Sequence, residues 1–196
     1  MAGRPKNRQD RINTDVIVDA ALEIAQHRLA DLTMRSLSDK LQVTPGALYK
    51  HVSGREELVT MVVEKVLSEA PRISPDGGDC WLALRAQMLG MQALVDRYPG
   101  LDMEIVSRSP ESPQANLMRR GGMDALQAQG LSLDEAVYVY RAVTYLWLGA
   151  RVAVQGRARN KTDIDTFASA LDILLSGLKT ELGERAIRES KVKGRQ

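Results

Sequence analysis

The chain has 196 residues, 44% hydrophobic and 27% charged, which excludes a disordered or collagen-like polymer and suits one or two globular cores. Its net charge of +2 is too small to imply a nucleic-acid partner by itself, but residues 1–55 hold nine Lys or Arg against six Asp or Glu, so the basic excess sits at the N-terminal end. The lone cysteine, Cys80, excludes an intramolecular disulfide and suits a reducing cytoplasm, and with only His27 and His51 beside it no zinc cluster, other metal site or cofactor is expected.

The start of the chain lacks the apolar stretch of a signal peptide. The polar, basic segment AGRPKNRQDR (2–11) reads as an arm carrying Arg4 and Lys6. Such an arm suits minor-groove insertion and equally suits a solubilising tail. Thr14 is placed to cap a first helix with Val16, Ile17, Ala20, Ala21, Ile24 and Ala25 on its apolar side. A second helix is predicted over Met34–Leu41, a turn at Gln42–Thr44, and a third helix from Pro45 to the Ser53-Gly54 step. Proline suits the first helical position because its missing N–H has no intrahelical partner there. A fourth helix starts near Arg55 and carries Leu58, Val62 and Val66. The segment Pro71–Asp79, with two prolines and two glycines, reads as a linker.

Beyond it, Trp81, Leu84, Met88, Met91, Val95 and Tyr98 repeat at helical spacing until Pro99-Gly100. A short helix is expected next, then one over Gln114–Gln129 with Gly121-Gly122 as a weak point. The apolar region from Ala136 to Val154 is broken by Arg141, Thr144 and Arg151, and so reads as a buried helix rather than a membrane span. After a polar loop, Ile164, Phe167, Leu171, Leu174, Leu178 and Leu182 mark a last amphipathic helix. The predicted fold is all-α.

The stretch from Leu32 to Leu58 carries the most information. Leu37 and Leu41 share one face of the second helix, Leu48 and Val52 one face of the third, and Val43 plugs the turn. The opposite side is left polar, with Thr44, Lys50 and His51 and with Tyr49 alongside, and a helix with such a face suits the DNA major groove. The Leu-Thr-x-Arg-x-Leu opening, Leu-x-Val turn and Leu-Tyr-x-His-Val segment resemble the DNA-binding domain of the TetR (tetracycline-repressor-like) family over about residues 14–69.

The resemblance implies a three-helix helix-turn-helix DNA-binding domain at 1–70. It implies a helical effector-binding and dimerisation domain at 71–196. It gives Arg35 a base or phosphate contact, puts the reading turn at Pro45, Gly46 and Ala47, and gives phosphate contacts to Tyr49, His51 and Arg55, with Lys50 beside them. The reading turn departs from the family branch in offering no side-chain hydrogen bond, although Ala47 can touch a thymine methyl. Specificity then falls to Arg35, Thr44, Lys50 and the arm. The family's tetracycline–magnesium site uses a histidine in the effector domain. Neither histidine here lies beyond residue 51, so that ligand is not expected.

In the second half, Arg141 lies near Tyr138, Tyr145 and Trp147. A charge in an apolar helix calls for a ligand's anionic group, a salt bridge to Glu104 or Asp102, or exposure at a rim. Met88, Met91 and Met103 suit an adaptable pocket and equally an ordinary core. For the dimer, Gly149 and Ala153 permit close helix approach, and Phe167, Leu171, Leu174 and Leu178 form the expected seam. No nucleophile–base pair, glycine-rich phosphate loop or metal-ligand spacing suggests an enzyme. The expected partners are an operator duplex, a small-molecule effector and a second copy of the chain, with no membrane partner. A nonspecific architectural DNA binder is the other reading, at odds with the near-neutral second half.

Overall fold

The structure, a computed structural model, describes the backbone of residues 12–154 and 157–193, and the side chains of 12–154 and 157–185. The arm residues Arg4 and Lys6 lie outside the described residues. Every regular element among those described is helical: α1 (Thr14–His27), a 3-10 turn (Leu29–Asp31), α2 (Met34–Leu41), α3 (Pro45–Leu48), α4 (Arg55–Ser68), α5 (Cys80–Val95), α6 (Leu101–Arg108), α7 (Pro113–Ala128), α8 (Leu133–Ala153) and α9 (Lys161–Lys193). The chain divides into two compact units, residues up to 69 with 94–114, and residues 70–93 with 115–196.

In the first unit α1 packs on α2 and α4. Asn13, not Thr14, caps α1: its Oδ1 accepts the Val16 N–H at 2.9 Å, and Thr14 is already helical. The buried stripe is Ile17, Val18, Ala20, Ala21, Leu22 and Ala25, while Val16 faces out. α4 buries Leu58, Val59, Val62, Val63, Val66 and Leu67 against this stripe and its neighbours. Each fully buried Leu or Val contributes about 1.5–3 kcal/mol.

Residues 94–114, assigned by sequence to the C-terminal domain, belong to this first unit. Their apolar side chains Tyr98, Leu101 and Ile105 are buried, the Leu29 N–H donates to the Pro99 carbonyl at 3.1 Å, and α6 packs on α4. Arg108 of α6 fastens the pair. It donates to Glu56 at 2.6 Å and to the Thr60 hydroxyl at 3.2 Å, and it pairs with Glu104 one turn back.

In the second unit the expected linker is docked. Ile73 is buried, and Gln87 Nε2 donates to the Pro71 carbonyl at 3.1 Å. The Tyr140 hydroxyl donates in turn to Gln87 Oε1 at 3.3 Å, and burial pushes that phenol up to about 12. Gly121-Gly122 is no weak point, because α7 runs unbroken through it. A Cβ on Gly122 would sit 2.4 Å from the Tyr140 ring and one on Gly121 2.9 Å from the Ile73 carbonyl, so the glycines are where α7 meets its neighbours most closely.

α8 starts in a reciprocal cap, in which Ser132 Oγ accepts the Glu135 N–H at 3.3 Å and the Glu135 carboxylate accepts the Ser132 N–H at 2.8 Å. α9 starts in another, between Asn160 and Asp163, each side chain accepting the other's N–H at 2.9 Å. The Arg157 guanidinium and the Asn160 N–H hold the Asp163 carboxyl down at about 2. α9 packs along α8, and the paired contacts of Arg85 with Asp172, at 2.5 and 3.0 Å, tie α5 to α9.

Candidate nucleic-acid interface

The candidate reading head is built from its caps outward. Thr33 and Ser36 cap α2 reciprocally, Thr33 Oγ1 accepting the Ser36 N–H and Ser36 Oγ the Thr33 N–H, both at 3.0 Å. One turn on, Leu37 is fully buried and Lys40 pairs with Glu23 of α1 at 2.6 Å. The chain reverses at Gln42, whose φ of 55° is left-handed, and the Val43 N–H closes on the Ser38 carbonyl at 3.0 Å. Leu41 and Val43, expected in the shared core, are only half-buried.

Thr44 then caps α3, its Oγ1 accepting the Ala47 N–H at 3.3 Å, and Pro45 takes the first helical position. α3 is shorter than the sequence predicts: it ends at Leu48 rather than at Ser53. The His51 and Val52 N–H groups both fold back to the Leu48 carbonyl, at 2.8 and 3.0 Å, and Ser53 is held by Glu57 at the start of α4. These Ser53 hydrogen bonds hold the Glu57 carboxyl below its ordinary range. The reading head is therefore one helical turn followed by a tight turn, anchored by the buried Leu48 and Val52.

Of the residues assigned to DNA, Arg35, Thr44, Pro45, Gly46, Tyr49, Lys50 and His51 are exposed, and Ala47 and Arg55 are half-buried. Among the described residues, no side-chain hydrogen bond or ion pair occupies Arg35, Tyr49, Lys50 or His51. Arg55 is different. Its Nε donates to the Leu32 carbonyl at 3.1 Å and its Nη1 lies 3.8 Å from Glu56, so part of this guanidinium braces the approach to α2. A groove of about 630 Å³ between α1 and α4 has Asp15, Asp19, Glu57 and Glu64 against a single Lys65 in its lining, a charge that repels phosphate.

The residues assigned to a ligand do not converge. Met88, Met91 and Trp147 are buried in the second unit, but Arg141 and Tyr145 lie on an exposed side of α8, and Met103 is an exposed residue of the first unit. Arg141 therefore needs no partner, and Glu104 is paired with Arg108 instead. The buried cation of α8 is Arg151, which the sequence marks only as an interruption of the apolar run. Its Nη1 donates to Gln92 Oε1 of α5 at 3.1 Å. The signal is available in the phase of the helix: Val139, Val143, Trp147 and Arg151 repeat every fourth residue on the buried stripe, and Arg141 is off it. Among the described residues no group of His, Cys, Asp or Glu is placed to hold a metal ion.

The residues expected in the dimer seam are mostly covered within the protomer. Phe167, Leu171 and Leu178 are buried within the protomer, with Leu175 and Leu182, and Leu174 is half-buried. An amphipathic stripe has the same period whether it faces its own core or a second chain, and here it serves the core. Gly149 and Ala153 are exposed on α8, together with Tyr138, Tyr145 and Val152 at seven-residue steps. On α9 the prominent exposed apolar residue is Ile173, 74% exposed.

No family model matches the chain. It is 28% identical over 157 residues to the tetracycline repressor protein class D of Escherichia coli, a match covering 78% of this chain and 71% of the relative. Against a TetR variant from Acinetobacter baumannii AYE in complex with minocycline the TM-score is 0.74 at 24% identity, over 87% of this chain and 98% of the other, a likeness of fold. BioQ in complex with its natural double-stranded DNA operator gives a TM-score of 0.69 at 26% identity, over 86% of this chain and 98% of that one.

Proposed function

The chain belongs to the TetR family of transcriptional regulators, and from that premise we propose a ligand-responsive repressor that binds a palindromic operator as a dimer and is released by a small-molecule effector. The observation that carries this reading is the exposed set Arg35, Tyr49, Lys50 and His51, whose side chains have no partner among the described residues, grouped around a capped helical turn. Residues 1–70 form the DNA-binding domain, to which 94–114 add a structural brace. The rest binds the effector and forms the dimer.

Phosphate contacts from Tyr49, His51 and Lys50 position the head, and Arg35, Thr44 and the first turn of α3 face the bases. Arg4 and Lys6 of the arm add contacts in the neighbouring minor groove. Two copies pair through the exposed face of α8 and α9 carrying Tyr138, Tyr145, Gly149, Val152, Ala153 and Ile173, which gives the two-fold symmetry a palindrome requires. The effector acts by favouring a conformation whose reading heads no longer match the groove repeat of about 34–36 Å. The protein is a binding protein of the cytoplasm, not an enzyme.

The test is selection of duplexes from a random pool, followed by titration of the winner by fluorescence anisotropy. A single palindromic consensus, bound tightly as a dimer and more weakly by Tyr49→Ala, is the expected result. Enrichment of no sequence, with equal affinity for any duplex, would overturn the repressor reading in favour of an architectural binder.

A further inference from the structure

An acid at a head that meets DNA needs a reason, because phosphate repels a carboxylate. Glu57 is exposed in the first turn of α4, two residues beyond Arg55, and it lines the acidic groove between α1 and α4. It differs from Asp19 of the same groove. Asp19 has no side-chain partner among the described residues, whereas Glu57 Oε2 accepts both the Ser53 N–H at 2.7 Å and the Ser53 hydroxyl at 2.6 Å. Ser53 lies midway between His51 and Arg55, the two residues assigned to phosphate on either side of it. The neighbouring anchors, Val52 and Leu58, are buried, but Ser53 is exposed, and α4 opens at Gly54, where no side chain caps the helix. Among the described residues the Ser53 side chain bonds to Glu57 alone. One charged oxygen therefore ties the stretch that joins the tight turn of the head to α4.

We infer, on the operator reading above, that Glu57 is a positioning residue for DNA binding: through Ser53 it fixes the spacing between the tight turn carrying Tyr49, Lys50 and His51 and the start of α4 carrying Arg55. Both sets then reach their phosphates at once, and Glu57 itself touches no DNA. Charge and position act in opposite directions here, so the sign of a substitution separates them. Removing a negative charge near phosphate strengthens binding, and removing the tie weakens it.

The test uses the full chain and the selected operator, with anisotropy measured across a salt series. Asp19, Ser53 and Glu57 are all exposed, so their variants should fold. Asp19→Asn loses a charge and no tie, and should bind slightly tighter than the parent. Glu57→Ala loses the same charge together with the tie and should bind about 3- to 30-fold weaker, the range expected of a lost cap. Ser53→Ala keeps the charge and should also bind more weakly. Glu57→Gln keeps an oxygen that accepts from Ser53 and should restore most of the loss. In Glu57→Ala the slope of log affinity against log salt should flatten by about 0.9 for each phosphate left out of reach, which a smaller folded fraction would not produce. In NMR titration of the free protein, Ser53→Ala should let the Glu57 carboxyl titrate higher than in the parent, because the Ser53 hydroxyl is the strongest of the contacts that hold it down. Tighter binding by both Glu57→Ala and Glu57→Gln would reduce Glu57 to a surface charge and overturn its positioning role. So would weaker binding with an unchanged salt slope, or a Glu57 titration unmoved by Ser53→Ala. A parent that selects no operator overturns the repressor reading and this role with it, whereas a specific parent with a tighter Glu57→Ala overturns this role alone.

Discussion

Gly46 occupies the second position of α3, and nothing inside the protomer requires a glycine there. A Cβ built on it meets no atom within 4 Å, and its φ is outside the left-handed range. Glycine in a helix forfeits about 0.5–1 kcal/mol relative to alanine, so Gly46→Ala should stabilise the free protein by about that amount. For a chain of this length that is a rise of about 1–4 °C in melting temperature. If the first turn of α3 is pressed into the groove, the added methyl has to displace base or backbone atoms. Overpacking of that kind costs about 1–3 kcal/mol, so operator affinity should fall about 5- to 150-fold. Differential scanning calorimetry gives the first number and anisotropy on the selected operator gives the second. A stabilised variant that binds as tightly as the parent would refute close approach at this turn. A destabilised variant would refute the open space around Gly46.

Tyr49→Ala and His51→Ala should each keep the fold, because both side chains are exposed, and should weaken binding to all duplexes by similar factors. An affinity equal to the parent's in anisotropy removes that residue from the interface. Lys50→Ala should lower the slope of log affinity against log salt by about 0.9 for each phosphate it no longer neutralises, and an unchanged slope with relaxed specificity at one operator position would make Lys50 a base reader instead. Ile173→Glu should fold and be monomeric by light scattering, whereas Leu171→Glu, at a side chain with 0% exposure, should fail to fold. A dimeric Ile173→Glu with full operator affinity would move the seam elsewhere. Because the folded Asp163 carboxyl is held at about 2 against an ordinary 3.8, its capping contribution is complete above about pH 4 and is lost as pH falls through about 2. NMR titration of that carboxyl checks this, and a midpoint near the ordinary value contradicts the Arg157 and Asn160 contacts.

The helices are largely legible in the sequence because their signals are local. Pro45 at a first turn, the Pro99-Gly100 stop and the fourfold step from Leu84 to Met88 need no tertiary knowledge. Three features are not legible in this way. α3 stops early because Leu48 accepts from both His51 and Val52, a closure that residue periodicity does not encode. Residues 94–114 join the first unit through Pro99 and Arg108, whose partners Leu29 and Thr60 stand 70 and 48 residues away in sequence, and no pattern announces such pairings. Leu171 and its stripe look the same whether they pack on α8 or on a second chain, so only burial in the protomer separates the two. Arg141 draws the eye before Arg151 because it stands mid-helix. Helical phase, counted from Val139 and Val143, puts Arg151 inside and Arg141 outside, and that signal is present in the sequence.

The claim everything else depends on is that two reading heads engage one palindrome. Hydroxyl-radical footprinting on the selected operator measures this directly. The account predicts two protected half-sites related by two-fold symmetry, about one helical turn apart, both lost together in Ile173→Glu. Protection of a single asymmetric half-site, or uniform protection along the duplex, would contradict it.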